Sequence, residues 1–225
     1  MRQIFPGVYV IERDSGDVVA TKNLTPGVRF YGEEILEVEG IEYRAWNPFR
    51  SKLSAAILKG LKKLMISPRD KILYLGVASG TTCSHISDIV EMKGHIWGVD
   101  FAPRPMRDLI QNLARIRGNI SPILGDARQP GSYIPMVPKV ERIYADVAQP
   151  DQAEIVTKNA RLFLKGDGWI MMAIKSQSID VRKTPREVYA REILKLREGG
   201  FEIYETLLLD PYEKDHAFVV ARYRN

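Results

Sequence analysis

The chain of 225 residues has a single cysteine, Cys83, which excludes a disulfide framework and a zinc site built from several thiolates. No histidine or second cysteine flanks Cys83 in a catalytic arrangement, so it reads as a small buried residue. Long apolar runs are also missing. The longest, Trp169-Ile-Met-Met-Ala-Ile174, is six residues, against the ~20 that span a bilayer. The opening MRQIFPGVYVIERD lacks the apolar core and small-residue cleavage site of a secretory leader. No internal repeat or low-complexity tract is visible. What remains is 45% hydrophobic and 27% charged residues, a balance that excludes disorder over most of the chain. A reducing, intracellular setting is expected.

The formal net charge is only +5, but its distribution is uneven. Arg44, Arg50, Lys52, Lys59, Lys62 and Lys63 fall in one stretch with no acidic residue. Arg104, Arg107, Arg115 and Arg117 fall in another, with Asp108 alone against them. Such clusters suit either two solvated helix faces or a track for a phosphate backbone.

Residues 1–46 read as a small antiparallel β domain. Val8 to Ile11 alternates, Asp14-Ser-Gly-Asp17 supplies turn chemistry, and Val28 to Val38 leads through Glu39-Gly40 into Ile41–Trp46 as a hairpin. So short a piece buries too little surface to stand alone and is expected to lean on the rest of the chain, on another protein, or on both. Residues 47–225 read as an α/β domain. Asn47-Pro48 looks like a helix start, with Leu53, Ile57, Leu61 and Leu64 at helical spacing. Strands at 71–75, 95–99, 119–124, 142–145 and 169–174 alternate with helices at 82–91, 105–117 and 151–164. A helix over 184–197 and a hairpin of 201–209 with 217–223 close the chain. Alternation of this kind implies a doubly wound, Rossmann-like parallel sheet, with the closing hairpin setting one strand antiparallel.

Ligands of such sheets bind outside the carboxyl ends of the strands. There the chain carries Gly76-Val-Ala78-Ser-Gly80-Thr81-Thr82, a turn whose backbone can approach a ligand closely. It is not the G-x-G-x-x-G of a dinucleotide site, which disfavours a nicotinamide dehydrogenase. Asp100 ends the next strand, 20 residues past Gly80, the spacing at which a carboxylate meets a ribose diol. Asp126 ends the third strand, where it is either a turn aspartate or an acceptor for an adenine amino group. Asp146 and Lys175 end the fourth and fifth. A lysine directly after an apolar strand needs a partner, so the two form a structural ion pair or a catalytic one. In the catalytic reading Lys175 takes a proton from a hydroxyl nucleophile, or holds the charge of a developing alkoxide, while Asp146 positions it. His216 reaches the same edge of the sheet, and Lys52 sits near the start of the helix leading into the sheet. The bland reading makes both surface residues. No metal site is expected.

Several stretches resemble one family. Trp46-Asn-Pro-Phe-Arg-Ser-Lys-Leu53, Tyr74-Leu-Gly-Val-Ala-Ser-Gly-Thr-Thr82, Asp100-Phe-Ala-Pro-Arg104 and Tyr144-Ala-Asp-Val-Ala-Gln-Pro-Asp-Gln152 are similar to fibrillarin. So are Ile174-Lys-Ser176, Ser178-Ile-Asp180 and Asp210-Pro-Tyr-Glu-Lys-Asp-His216. The likeness runs over essentially the whole chain, and the YLG-x-ASGTT and ADVAQPDQ stretches are highly specific. The resemblance implies an S-adenosyl-L-methionine-dependent RNA ribose 2′-O-methyltransferase. Its methyltransferase sheet follows a small β domain, and it works on rRNA, with tRNA a further substrate. Cofactor positions would fall on Gly76, Ala78, Thr81, Thr82, Asp100, Phe101, Asp126, Ala127, Asp146 and Gln149, and the catalytic set on Lys52, Asp146, Lys175 and His216. Implied partners are a box C/D guide RNA and its target RNA, a Nop-family scaffold protein and a kink-turn-binding ribosomal-type protein, with no membrane. Two departures stand out. Fibrillarins often carry Glu where this chain has Asp100, and the Gly/Arg-rich tail of eukaryotic members is absent, which points to the archaeal form in a cytoplasmic, non-secreted setting. The basic clusters would then track RNA phosphates beside the site. Alternatives are a guide-independent rRNA ribose methyltransferase, a small-molecule O-methyltransferase, which would not need those clusters, and a catalytically idle assembly subunit.

Overall fold

Glu39 and Gly40 take φ of 52° and 74°. This is a two-residue turn whose twist suits antiparallel strands, and it joins β4 (Ile35–Val38) to β5 (Ile41–Ala45). A second turn at Gly7 brings β1 (Arg2–Phe5), a strand the alternation did not reveal, onto β2 (Val8–Ile11). With β3 (Val18–Lys22) they form one antiparallel sheet of order β1-β2-β3-β5-β4. The computed structural model describes residues 1–14 and 16–224. Of the turn expected over Asp14–Asp17, Ser15 lies outside the described residues, and the Gly16 N–H donates to the Arg13 carbonyl at 2.9 Å.

Three expected elements need correction. The alternation from Val28 to Val38 is strand only over β4, because Glu33 turns inward. Its carboxylate accepts from the Phe30 and Tyr31 N–H groups and pairs with Arg44 at 2.6 Å. The helix expected at Asn47-Pro48 begins four residues later, as α1 (Lys52–Leu58) with Ser51 as its cap. Asn47 instead closes a local turn, its Oδ1 accepting from the Phe49 N–H at 2.8 Å. Leu61 and Leu64 lie beyond the helix end but are buried, so their spacing reports the core rather than the helix.

The larger sheet has the order β11-β12-β10-β9-β6-β7-β8. Its strands are β6 (Lys71–Leu75), β7 (His95–Asp100), β8 (Ile120–Leu124), β9 (Val140–Ala145), β10 (Leu164–Lys175), β11 (Phe201–Leu208) and β12 (His216–Tyr223). Only β12 runs antiparallel to its neighbours, as the closing hairpin predicts. The connecting helices are α2 (Thr81–Val90), α3 (Pro103–Leu109), α4 (Gln152–Phe163), the single turn α5 (Ser176–Ile179) and α6 (Pro185–Glu198). α6 has the strongest start signal, with Pro185 in the first turn and a reciprocal box between Thr184 and Glu187. The helix expected to run to Arg117 ends as an α-helix at Leu109 and loosens into a π turn over Ile110–Ala114.

Alternate residues of β6 face opposite cores. Ile72 and Tyr74 join a cluster containing Ile86 and Ile89 of α2 together with Val8, Val10 and Val19 of the small sheet. Leu73 and Leu75 join the other, with Phe163 and Leu196. The small sheet therefore shares a core with the large one, and α2 lies between them, buried from Thr82 to Val90. No helix among the described residues is long and apolar enough to cross a membrane.

Candidate active site

The tips of β6 and β9 are pressed together by Gly76. At φ 77° it takes a backbone that favours glycine, and a Cβ there would stand 2.7 Å from the Asp146 carbonyl oxygen. The Asp146 N–H donates to the Leu75 carbonyl at 2.9 Å, which fixes the aspartate at the strand end. Lys175, at the tip of β10, is held through its N–H, which donates to Gln152 Oε1 at 3.1 Å.

From these anchors two lysines converge on one carboxylate. Lys175 Nζ lies 2.8 Å from Asp146 Oδ1 and donates to the Asp146 carbonyl at 2.9 Å. Lys52 Nζ, brought in by the first turn of α1, lies 3.4 Å from Asp146 Oδ2. His216 is opposite Lys175 in the β10–β12 register. Its Nδ1 meets the Lys214 carbonyl at 2.6 Å. A carbonyl only accepts, so Nδ1 is the donor in this contact and the ring is held in place by it. Lys52, Asp146, Lys175 and His216 are thus brought to one edge of the sheet, as expected. A fifth group, Glu213, was missed. Its carboxylate lies 3.8 Å from Lys52 Nζ and 3.9 Å from His216 Nδ1. Nothing in the sequence separates it from the other acids of the Asp210–His216 loop.

Beside this cluster opens a cavity of about 250 Å³. Gly76, Ala78, Asp100, Phe101 and Ala127 line it, together with Asp146, Gln149 and Lys175 of the strand tips. Asp100 accepts from the Ala78 N–H through one carboxylate oxygen and from the Ala102 N–H through the other, both at 2.9 Å. Each oxygen keeps a lone pair for a ligand. Asp126 does not line this cavity; its Oδ1 accepts from the Arg128 N–H at 2.9 Å and lies 3.5 Å from Nε2 of Gln149, which does line it. Thr81 and Thr82 do not line it either. The Thr82 hydroxyl is buried and donates to Ser51 Oγ at 2.9 Å, while Thr81 borders a separate cavity beside Tyr31 and Arg50. The donor set fits S-adenosyl-L-methionine. An oriented carboxylate suits a ribose diol, the apolar faces of Val99, Phe101 and Pro105 suit a purine, and Asp146 offers negative charge to a sulfonium. Among the described residues there is no cluster of three potential metal ligands.

The family model described as Fibrillarin matches residues 1–225. The chain belongs to the fibrillarin family. Within that family it is 56% identical over 216 residues to the fibrillarin-like rRNA/tRNA 2′-O-methyltransferase of Aeropyrum pernix, covering 96% of this chain and 92% of that protein. The crystal structure of Aeropyrum pernix fibrillarin with natively bound S-adenosyl-L-methionine aligns with a TM-score of 0.91 at 55% identity, covering 98% of this chain and 96% of the other. A fibrillarin in complex with Nop5p aligns with a TM-score of 0.90 at 39% identity over the full length of both chains.

The reading of the two basic clusters as a phosphate track needs a correction at two residues. Arg44 and Arg117 are fully buried and cannot meet RNA. Both reach Asp88 of α2, at 2.8 Å and 2.7 Å. The physical reason is α2 itself, which carries a carboxylate into the space between two sheets, where a buried charge needs a partner. Lys52 is likewise engaged by Asp146.

Proposed function

We propose that this chain transfers the methyl group of S-adenosyl-L-methionine to ribose 2′-hydroxyls of RNA, as the catalytic subunit of a box C/D guide ribonucleoprotein. The observation that carries this reading is the convergence of Lys52 and Lys175 on Asp146 at the mouth of the cavity that also holds Asp100, Phe101 and Gln149. Bound cofactor supplies an electrophilic methyl on a sulfonium. Asp100 binds the ribose of the cofactor, and Phe101 covers its base. Asp146 and Lys175 receive the target hydroxyl as a unit. Lys175, oriented by Asp146, takes the hydroxyl proton on its free amine and becomes an ammonium, while the Lys52 ammonium holds the negative charge growing on oxygen. His216 stands at the same edge, its ring oriented by the Lys214 carbonyl. Holding both reactants in line contributes most of the acceleration, and the proton transfer adds about 10²–10⁴-fold.

The solved complex of a relative with Nop5p supports a Nop-family scaffold as the partner of this chain. A guide RNA and a kink-turn-binding protein complete the particle, and rRNA and tRNA are the substrates. Two arginines of its basic clusters are consumed internally, while Arg50, Lys59, Lys62, Lys63, Arg104, Arg107 and Arg115 stay exposed and are free to meet RNA phosphates. The test is transfer of labelled methyl to a guided RNA, with and without the partner proteins. Incorporation at the guided 2′-hydroxyl only in the complete particle is expected. Equal transfer to naked RNA makes the enzyme guide-independent, and none in either case makes it an assembly subunit.

A further inference from the structure

Thr82 closes the glycine-rich stretch, but its side chain is spent elsewhere. It is 5% exposed, lines no part of the donor cavity, and donates its hydroxyl to Ser51 Oγ at 2.9 Å. Ser51 is buried in turn and caps α1, its Oγ accepting also from the Ser54 N–H at 3.5 Å. The next residue is Lys52, so the contact fixes the start of the turn that carries this lysine. That start needs an outside hold. α1 has seven residues and no acidic side chain in its first turn, too short a helix to keep its geometry alone. Its buried face is mostly apolar, with Leu53, Ala55, Ala56 and Ile57. Apolar packing is non-directional, so direction comes from polar ties. One of these, Ser54 Oγ donating to the Trp46 carbonyl at 2.7 Å, leads to the end of the small sheet. Thr82 leads instead to the domain that bears Asp146. The ion pairs of Lys52 are looser than these ties. Its Nζ lies 3.4 Å from Asp146 and 3.8 Å from Glu213, against 2.8 Å between Lys175 and Asp146. The post itself is firm, because α2 is buried from Thr82 to Val90 and is clasped at Asp88 by Arg44 and Arg117.

We propose that Thr82 is a positioning residue for Lys52: by holding Ser51, its hydroxyl aims the Lys52 ammonium at the oxygen that attacks the methyl group. The inference rests on the ribose-methylation reading and names a residue that readies the site for that reaction. The stretch from Gly76 to Thr82 then serves both reactants. Gly76 and Ala78 line the cavity for the donor, and Thr82 sets the lysine that faces the acceptor. Donor and acceptor are thereby referred to one turn of the chain, and a misplacement of about 1 Å costs up to about 10²-fold in rate. The competing role for this hydroxyl is contact with the donor. To make it, Thr82 would have to turn away from Ser51 and strip a buried cap oxygen of its closer partner, an unfavourable exchange.

The experiment compares Thr82→Val, Thr82→Ser and Ser51→Ala in the reconstituted particle with guided target RNA, each alone and combined with Lys52→Met. Thr82→Val keeps the branched shape and removes the hydroxyl. It is expected to lower kcat by about 10- to 100-fold, with KM for S-adenosyl-L-methionine within about two-fold of wild type. Ser51→Ala should do the same, and Thr82→Ser should restore most of the rate. On a Lys52→Met background Thr82→Val should cost less than about two-fold more, because a residue that acts through Lys52 has nothing left to aim. Rates are taken per molecule that binds the donor, and Ser51→Ala carries the test if Thr82→Val does not fold. An unchanged kcat for Thr82→Val overturns the proposal. So do full additivity with Lys52→Met and failure of Thr82→Ser to recover the rate. A rise in KM for the donor alone overturns it too, and makes Thr82 a donor ligand. The wild-type arm separates the two readings: no methyl transfer by wild type sinks both, whereas an active wild type with indifferent Thr82 and Ser51 variants removes the positioning role alone.

Discussion

Two clusters of opposite charges, one between the sheets and one at the strand tips, are built from nearly the same side chains. Between the sheets, Arg44 and Arg117 meet Asp88 and Glu33 at 2.6–2.8 Å, with all four side chains at most 1% exposed. His85 adds its ring, stacked on Trp46 at 4.7 Å and contacting the Thr21 and Tyr31 hydroxyls. At the strand tips, Lys52 and Lys175 meet Asp146 with Glu213 and His216 beside them, but at 2.8–3.9 Å and with one side open to a cavity. The inner cluster has its charges matched by close, dry partners, so it fastens one sheet to the other. The outer cluster keeps spare lone pairs and donors aimed where a substrate enters. Residue type does not distinguish a clasp from a reaction centre. Saturation and access do.

The comparison breaks most visibly if the outer cluster is dispensable. Asp146→Asn and Lys175→Met are each expected to lower kcat by about 10²–10⁴-fold while the thermal midpoint stays close to wild type. A variant that keeps more than about a tenth of the rate would take its residue out of the chemistry. The inner cluster should behave in reverse. Asp88→Ala leaves two buried guanidinium groups without their shared carboxylate, and denaturant unfolding should show a loss of about 3–5 kcal/mol. Methyl transfer per folded molecule should stay near wild type. A stability close to wild type would mean that the clasp carries no net load.

A smaller effect sharpens the contrast through pH. Burial, reinforced by the nearby Arg44 and Arg117, holds the His85 imidazole well below its usual range. The unfolded chain binds a proton at this residue below about pH 6.5 and the folded chain does not. Stability is therefore retained above that pH and falls as the pH drops below it, by up to about 1.4 kcal/mol per unit from this group. Urea midpoints at about pH 7.5 and 5.5 measure it, and His85→Gln should show a shallower dependence than wild type. Equal slopes would place the proton elsewhere.

The alternation of strands and helices, the two-residue turn at Glu39-Gly40 and the boxed start of α6 were readable because each depends on neighbours in the chain. The same holds for Asp100, Asp146 and Lys175, whose positions directly after apolar strands bring them to one edge of any parallel sheet. Local patterns misled where tertiary contacts competed. Asn47-Pro48 has the chemistry of a helix start, but Asn47 turns the loop that presents Phe49, and Ser51 takes the cap. Arg44 and Arg117 looked like part of a phosphate track, whereas Asp88 of α2 draws both inward. Glu213 gave no signal, since its role comes from a loop folding back onto Lys52, more than 150 residues earlier in the chain.

The amino-acid order alone determined the class of sheet, the side of it that carries chemistry and the family motifs, because these follow from periodicity and from residue types at short separation. The tertiary structure decided which charges are scaffold and which are free to react. Burial and the distance between remote side chains set that difference, and neither can be computed from neighbours along the chain.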